Sequence, residues 1–151
     1  MPLGPARQKG GGCPGFGPLP RGGLSTKIHA AGDALGLPLR LIGSAGQRND
    51  IAFAHELVDG LEAEAMIADK GYDADHLCDR LVQTGAKVVI PPKRNRKVQR
   101  PYDVQLYKER NLIERFFNKL KQFRRVATRY DKLLANFIGF VKLAAIAIWL
   151  R

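Results

Sequence analysis

The sequence has few cysteines and no long apolar run, and each shortage excludes a class of protein. Its 151 residues include two cysteines, Cys13 and Cys78, too few for a disulfide framework and without metal-ligand spacing. The apolar stretch at residues 137–150 is interrupted by Lys142 and is shorter than the ~20 residues of a membrane helix. No apolar signal sequence follows Met1. We therefore expect a protein of a reducing cytoplasm that does not enter a membrane.

Acidic residues are absent from the first 23 positions, which hold eight of the 16 glycines and five of the nine prolines. No helical or strand periodicity occurs there, so residues 1–21 are predicted to form a disordered lead-in. Residues 22–151 then form the single folded domain. The three histidines, His29, His55 and His76, show no ligand spacing and are interpreted as ordinary.

Positive charge is abundant and unevenly placed. The formal net charge is +11, and such self-repulsion is relieved most simply by a polyanionic partner. Between Lys93 and Lys132 there are 14 basic residues and four acids, whereas residues 24–92 contain six basic residues and ten acids. DNA contact is therefore expected from the C-terminal half. The basic run Lys93, Arg94, Arg96 and Lys97 lacks interleaved aromatics and favours phosphate contact over base stacking.

The order of secondary structure predicts an α/β fold. Alternation at residues 24–30, turn residues near Asp33 and an apolar run at 37–42 predict a hairpin with a half-buried first strand. A helix capped by Asp50 follows, then a buried strand at 65–68, a helix at 73–84 ended by Gly85, and a strand at 87–90. A long helix over 104–127 and a final helix complete the layout of helices on a mixed sheet.

Two acids are candidates for chemistry. Asp69 follows a buried strand, where ligands of open α/β sheets collect, although turn former or helix cap is the commoner role. Glu114 lies on the predicted long helix with Tyr107, Arg110 and Lys121 at offsets that place all four on one face. Arg125 joins that face. The alternative for Arg110 and Glu114 is an ordinary surface ion pair.

The spacing of these residues resembles the Tyr-Arg-Glu-Lys signature of insertion-sequence DDE transposases. Tyr107, Arg110, Glu114 and Lys121 match its four residue types, and Asp69-Lys70-Gly71-Tyr72 resembles the second-aspartate motif of the same family. Segments 22–29 and 110–115 are also typical of it. The resemblance runs from about Arg21 to Arg151 and identifies the chain as similar to the C-terminal part of such a transposase.

The resemblance implies a ribonuclease H-like catalytic domain that carries out phosphoryl transfer on DNA. It makes Asp69 the second aspartate and Glu114 the glutamate of a site for two Mg²⁺ ions, which suit oxygen ligands. Tyr107, Arg110 and Lys121 would position DNA beside the metals, and Arg125 would add a phosphate contact. The expected partners are the element ends and the target DNA, and the expected location is the bacterial cytoplasm, on the nucleoid. The complete transposase is expected to be a homo-oligomer.

The first aspartate of the family has no counterpart, since nothing before Arg21 is acidic and Asp33 and Asp50 come too late. We therefore expect the first strand and one metal ligand to be missing, which makes the domain partial. One explanation is that residues 1–21 are read out of frame and that an upstream reading frame encodes the other half of the transposase. Such a chain would bind DNA and cut none by itself.

Two alternatives to a catalytic transposase stay open. The first is a non-catalytic DNA-binding fragment that regulates transposition by competing for element ends. The second is a structural nucleic-acid protein in which neither acid has a role.

Overall fold

The computed structural model describes residues 2–6, 26–46 and 48–151. They form a mixed α/β structure of short strands and helices. The strands are β1 Pro2–Ala6, β2 Thr26–Asp33, β3 Pro38–Ala45, β4 Ala65–Ile67 and β5 Lys87–Val89. The helices are α1 Ile51–Val58, α2 Asp75–Gln83, α3 Val104–Tyr107, α4 Asn111–Leu120, α5 Arg124–Ala127 and α6 Leu134–Trp149. Two 3-10 turns, Lys70–Tyr72 and Lys108–Arg110, complete the order.

The predicted hairpin is confirmed. Strands β2 and β3 pair antiparallel, with Thr26 opposite Ala45 and Ala31 opposite Arg40. Asp33 builds the turn, because its Oδ1 accepts hydrogen bonds from the backbone N–H groups of Leu35 and Leu37, each at 2.9 Å. Strands β4 and β5 pair in parallel and are connected through α2, as the alternation of strand and helix predicts.

Strand β2 is buried on both faces, which corrects the expectation of a half-buried strand. Ile28 and Ala30 pack with α4 and α6 in one hydrophobic cluster, whereas Ala31 packs with α1 and α2 in another. The polar member of the second face, His29, is fully buried beside the Tyr72 hydroxyl at 3.2 Å and the Ser44 hydroxyl at 2.9 Å. A histidine can be buried in a core when it is hydrogen-bonded. The alternation of polar and apolar residues therefore wrongly predicted that this face of β2 is exposed.

A strand pairs with the hairpin where none was expected. Pro2–Ala6 runs antiparallel to β2, with Ala6 opposite Ala30, and lies beside β4. The sequence did not predict this strand because proline has no N–H to donate to a neighbouring strand. Pro2 and Pro5 therefore argue against a strand at this position. The rest of the predicted lead-in, residues 7–21, lies outside the described residues, so the domain boundary at residue 22 stays a prediction.

The predicted long helix over residues 104–127 is wrong as a single element. Helix α3 ends at Tyr107, a 3-10 turn covers Lys108–Arg110, and α4 ends at Leu120. The backbone of Phe123 is extended before α5 begins. Phe123 and Val126 pack into the cluster formed by α4 and α6, and this tertiary packing outweighs the helical periodicity of the segment.

The helix start at Asp50 also differs from the prediction. The Asp50 carboxylate makes no capping hydrogen bond to α1 and faces Lys27 Nζ at 3.5 Å and His29 Nδ1 at 3.9 Å. Gly85, by contrast, ends α2 as predicted, with φ +79° and its N–H donating to Val82 O. None of the helices in the described parts of the chain is both apolar enough and long enough to span a bilayer.

Candidate active site and nucleic-acid interface

Asp69 lies just after β4, where the chain bends into the Lys70–Tyr72 turn. Its side chain is only 4% exposed, and its carboxylate makes no capping hydrogen bond to that turn. Oδ2 is buried without a hydrogen-bond partner among the described residues. A cap or turn former would use these oxygens on backbone N–H groups, so the structure does not support the ordinary role for this aspartate.

Tyr72 fixes the bend that presents Asp69. Its N–H donates to the Asp69 carbonyl at 2.9 Å, and its fully buried ring carries the hydroxyl to His29 on β2. The turn after β4 is therefore connected to the central strand.

Glu114 lies in the first turn of α4 and is half-exposed. The buried side of that helix, formed by Ile113, Phe116, Phe117 and Leu120, packs into the core and fixes the direction in which the helix lies. The Glu114 Oε1 atom accepts a hydrogen bond from Arg110 Nη2 at 2.6 Å. The same guanidinium reaches Asp69, with Nη1 3.7 Å from Oδ2. Two acids that are remote in sequence therefore contact one side chain.

Tyr107 is the third signature residue at this place. The guanidinium carbon of Arg110 lies 5.6 Å from the centre of the Tyr107 ring, within cation–π range. Burial raises the pKa of Tyr107, Arg110 lowers it in part, and the carboxylates of Asp69 and Glu114 raise it further. The phenol is therefore neutral at ordinary pH and can serve as a hydrogen-bond donor beside the acids.

No hydrogen bond or ion pair among the described residues joins Lys121 or Arg125 to the acids. Lys121 follows the last residue of α4 and is partly exposed, and no ion pair within the described residues joins it to Asp69 or Glu114. Arg125 belongs to α5, beyond the break, and its guanidinium stacks on Phe140 of α6 at 4.4 Å. The shared helical face predicted for Arg125 depended on an unbroken helix.

The basic loop at residues 93–100 is attached to the start of α2 by two acids that sequence reasoning missed. Buried Asp73 accepts the Lys93 N–H at 2.8 Å and Arg96 Nη1 at 2.9 Å. Arg96 and Arg100 both pair with Asp75. The only feature of the sequence that could have indicated a role for Asp73 and Asp75 was their position directly after the Asp69 motif.

The cations of this loop fall into two groups. Arg96 and Arg100 are bound to acids within the protein. Arg94 and Lys97 are exposed, Lys93 is partly exposed, and none of the three side chains has an acidic partner in the part of the chain that the structure describes. Positive charge at Lys93, Arg94 and Lys97 is therefore available to an external anion.

Comparison with known proteins decides the family. The transposase DDE domain family matches residues 20–150. The chain belongs to this family. It is 45% identical over 132 residues to a Brucella ovis protein described as a candidate transposase for insertion sequence element IS6501, covering 85% of this chain and 100% of that protein. It is 28% identical over 151 residues to a Burkholderia cepacia protein described likewise for IS402, covering 91% of this chain and 69% of that protein. No solved structure matches the chain.

The two acids of this insertion-sequence transposase can be compared with the needs of a divalent cation. DDE transposases as a family depend on such ions, and carboxylate oxygens are suitable donors. The orphaned Oδ2 of Asp69 and the adjacent Glu114 would serve as ligands. Within residues 2–6, 26–46 and 48–151, no group of three His, Cys, Asp or Glu side chains comes together as a metal site. The donors fit one ion that completes its coordination with water or phosphate oxygens.

Proposed function

We propose that this transposase carries out metal-dependent cleavage and strand transfer of insertion-sequence DNA, with Asp69 and Glu114 as its metal-binding acids. The observation that carries the proposal is their contact with a single guanidinium, that of Arg110. Bound Mg²⁺ would supply activation of the attacking oxygen and stabilisation of the leaving oxygen. The acids would hold the ions, and the buried position of Asp69 would fix where they bind.

The proposed scaffold is ribonuclease H-like. Its support is the place of β1, which pairs with β2 and lies beside β4, so that Asp69 emerges next to the central strands. Such a site uses three carboxylates, and Pro2–Ala6 contains none. We therefore propose that the third comes from outside this chain, from the half of the transposase encoded by an upstream reading frame.

The DNA surface is proposed to include both the signature residues and the basic loop. Tyr107, Arg110 and Lys121 would position the reacting strand, and Arg125 would extend that contact along α5. Lys93, Arg94 and Lys97 would bind phosphates away from the acids. Arg96 is better suited to hold the loop, since its charge is already bound to Asp73. The substrate would be nucleoid DNA of a bacterial cytoplasm.

A DNA-binding regulator without catalytic activity is the second candidate. It is favoured by the absence of a third acid beside Asp69 and Glu114 among the described residues. A regulator would need the basic loop and would tolerate changes in both acids.

Transposition of a marked copy of the intact element in bacteria separates the two candidates. Asp69→Asn and Glu114→Gln are expected to abolish transposition while the purified variants still bind duplex DNA. Asp79→Asn is the matched control, because Asp79 is an exposed acid on α2 without an ion-pair partner in the described residues. Normal transposition by both active-site variants would reject the catalytic proposal.

A further inference from the structure

Arg110 lies in the position that a shared cation would need. Its Nη2 donates to Glu114 at 2.6 Å, and its Nη1 lies 3.7 Å from Asp69 Oδ2. The two terminal nitrogens of one planar group thus point to the two acids. The guanidinium side chain is only 15% exposed, so the positive charge is enclosed with its partners rather than extended into solvent.

The contact with Asp69 is an ion pair without a hydrogen bond. Both Asp69 Oδ2 and Arg110 Nη1 are buried, and neither has a hydrogen-bond partner among the described residues. Buried polar atoms in this condition cost free energy, because water no longer solvates them. A divalent cation approaches carboxylate oxygens to about 2.1 Å and would satisfy Oδ2 better than a guanidinium at 3.7 Å.

The guanidinium and a metal ion exclude one another at this place. Both are positively charged, and both would need the space between the same two carboxylates. Burial reduces the screening of that repulsion. A cation shared by Asp69 and Glu114 therefore requires Arg110 to turn away, and Glu114, whose side chain is 46% exposed, marks the open side.

A DNA phosphate is the group that would draw Arg110 outward. Arginine binds phosphate through two parallel hydrogen bonds, and a phosphate brings the negative charge that Arg110 loses on leaving the acids. The Tyr107 ring, 5.6 Å from the guanidinium carbon, offers an aromatic surface along which the side chain can move.

We propose that Arg110 is an internal counter-ion that competes with divalent cations for Asp69 and Glu114 until DNA phosphate displaces it. This inference rests on the proposed function, in which the two acids form the metal site. Because coupling between two ligands is reciprocal, DNA strengthens cation binding and the cation strengthens DNA binding. The arrangement offsets part of the negative charge of the two acids in the DNA-free protein and delays metal loading until substrate is present.

Direct Mn²⁺ titration of the purified protein, followed by the electron paramagnetic resonance of the free ion, tests the competition without any measurement of activity. In the absence of DNA, Arg110→Gln is expected to bind Mn²⁺ about ten-fold more tightly than the wild type, within the usual range of coupling. The matched control is Arg115→Gln, since Arg115 is an exposed arginine of the same helix without an ion-pair partner in the described residues. Asp69→Asn combined with Arg110→Gln should lose the gain, which locates the ion.

A short duplex of arbitrary sequence completes the design. It is expected to tighten Mn²⁺ binding by the wild type and to leave that of Arg110→Gln unchanged. If Arg110→Gln destabilises the fold, Mn²⁺ should raise its melting temperature more than that of the wild type.

The possible failures can be told apart. Asp69-dependent Mn²⁺ binding that Arg110→Gln does not strengthen would overturn the counter-ion role and leave the proposed metal site standing. If no protein shows Asp69-dependent binding, with or without DNA, both proposals are wrong.

Discussion

Two histidines that looked ordinary in the sequence form a hydrogen-bonded pair in the structure. His55 of α1 and His76 of α2 approach to 2.6 Å between Nε2 and Nδ1, with their rings stacked at 4.8 Å. Arg80 Nη1 lies 3.1 Å from His55 Nδ1. Arginine only donates hydrogen bonds, so His55 Nδ1 must accept and His55 Nε2 must carry the proton that it gives to His76. The contact between α1 and α2 therefore requires both rings to be neutral.

Burial lowers the pKa of His55 below its ordinary value of 6.5, and repulsion from His76, when that ring is protonated, and from Arg80 lowers it further. A lowered pKa means that the unfolded chain takes up the proton first. The contribution of His55 to stability is therefore complete above pH 6.5 and is lost as the pH falls through the folded-state pKa.

Nuclear magnetic resonance titration should give a His55 midpoint below 6.5. His76→Gln should raise it part of the way, because burial remains, whereas a wild-type midpoint of 6.5 or above would contradict the assignment.

At the scale of elements, the position of Glu114 depends on how closely α4 approaches the hairpin. A Cβ atom at Gly36, in the β2–β3 turn, would lie 3.0 Å from the Cβ and the carbonyl oxygen of Leu112. One of these neighbours is backbone, which cannot move aside without shifting the helix. Leu112 lies two positions after Arg110 and two before Glu114, so the absence of a side chain at Gly36 lets this segment place Arg110, with Glu114 bound to it, against Asp69.

Gly36→Ala is expected to destabilise the protein more than Gly85→Ala. The two glycines have nearly equal φ angles, +78° and +79°, so alanine suffers the same backbone strain at both. Only Gly36 faces Leu112, whereas a Cβ at Gly85 meets nothing within 4 Å. The extra loss should be about 1–3 kcal/mol, the range for overpacking. Chemical denaturation measures both variants, and equal losses would show that the approach of α4 is not tight.

The sequence predicted those elements that local patterns specify. Asp33 indicated the turn of the hairpin, Gly85 indicated the end of α2, and short apolar runs indicated β4 and β5. The sequence-based prediction failed where contacts between residues remote in sequence determine the structure. The break after α4 reflects the packing of Phe123 and Val126 with α6. Strand β1 was not predicted because it contains two prolines. It is a strand because it pairs with β2, a contact that its own sequence does not indicate.

At the scale of the whole molecule, Asp69 and Glu114, the two acids singled out in the sequence, both lie against Arg110, and the sequence missed how charge is organised around them. Fixed spacing within motifs carries information on which residues converge, and both acids do contact Arg110. Which cations are neutralised internally depends on the fold. The prediction treated Lys93, Arg94, Arg96 and Lys97 as equivalent, but Asp73 lies against Arg96. The number of basic residues in the loop thus overstates the positive charge that it offers to DNA.

The salt dependence of DNA binding should reveal this difference between neighbouring arginines. Each phosphate contact contributes about 0.9 to the slope of log affinity against log salt concentration. Arg94→Gln is expected to flatten that slope by about one contact, because Arg94 is exposed and no acid among the described residues neutralises it. Arg96→Gln should leave the slope unchanged and lower the melting temperature, since buried Asp73 loses its 2.9 Å partner. Fluorescence anisotropy with a short duplex at several salt concentrations measures both. A slope flattened equally by Arg96→Gln would mean that Arg96 leaves Asp73 to bind phosphate, and the division of the loop cations into internal and external groups would be wrong.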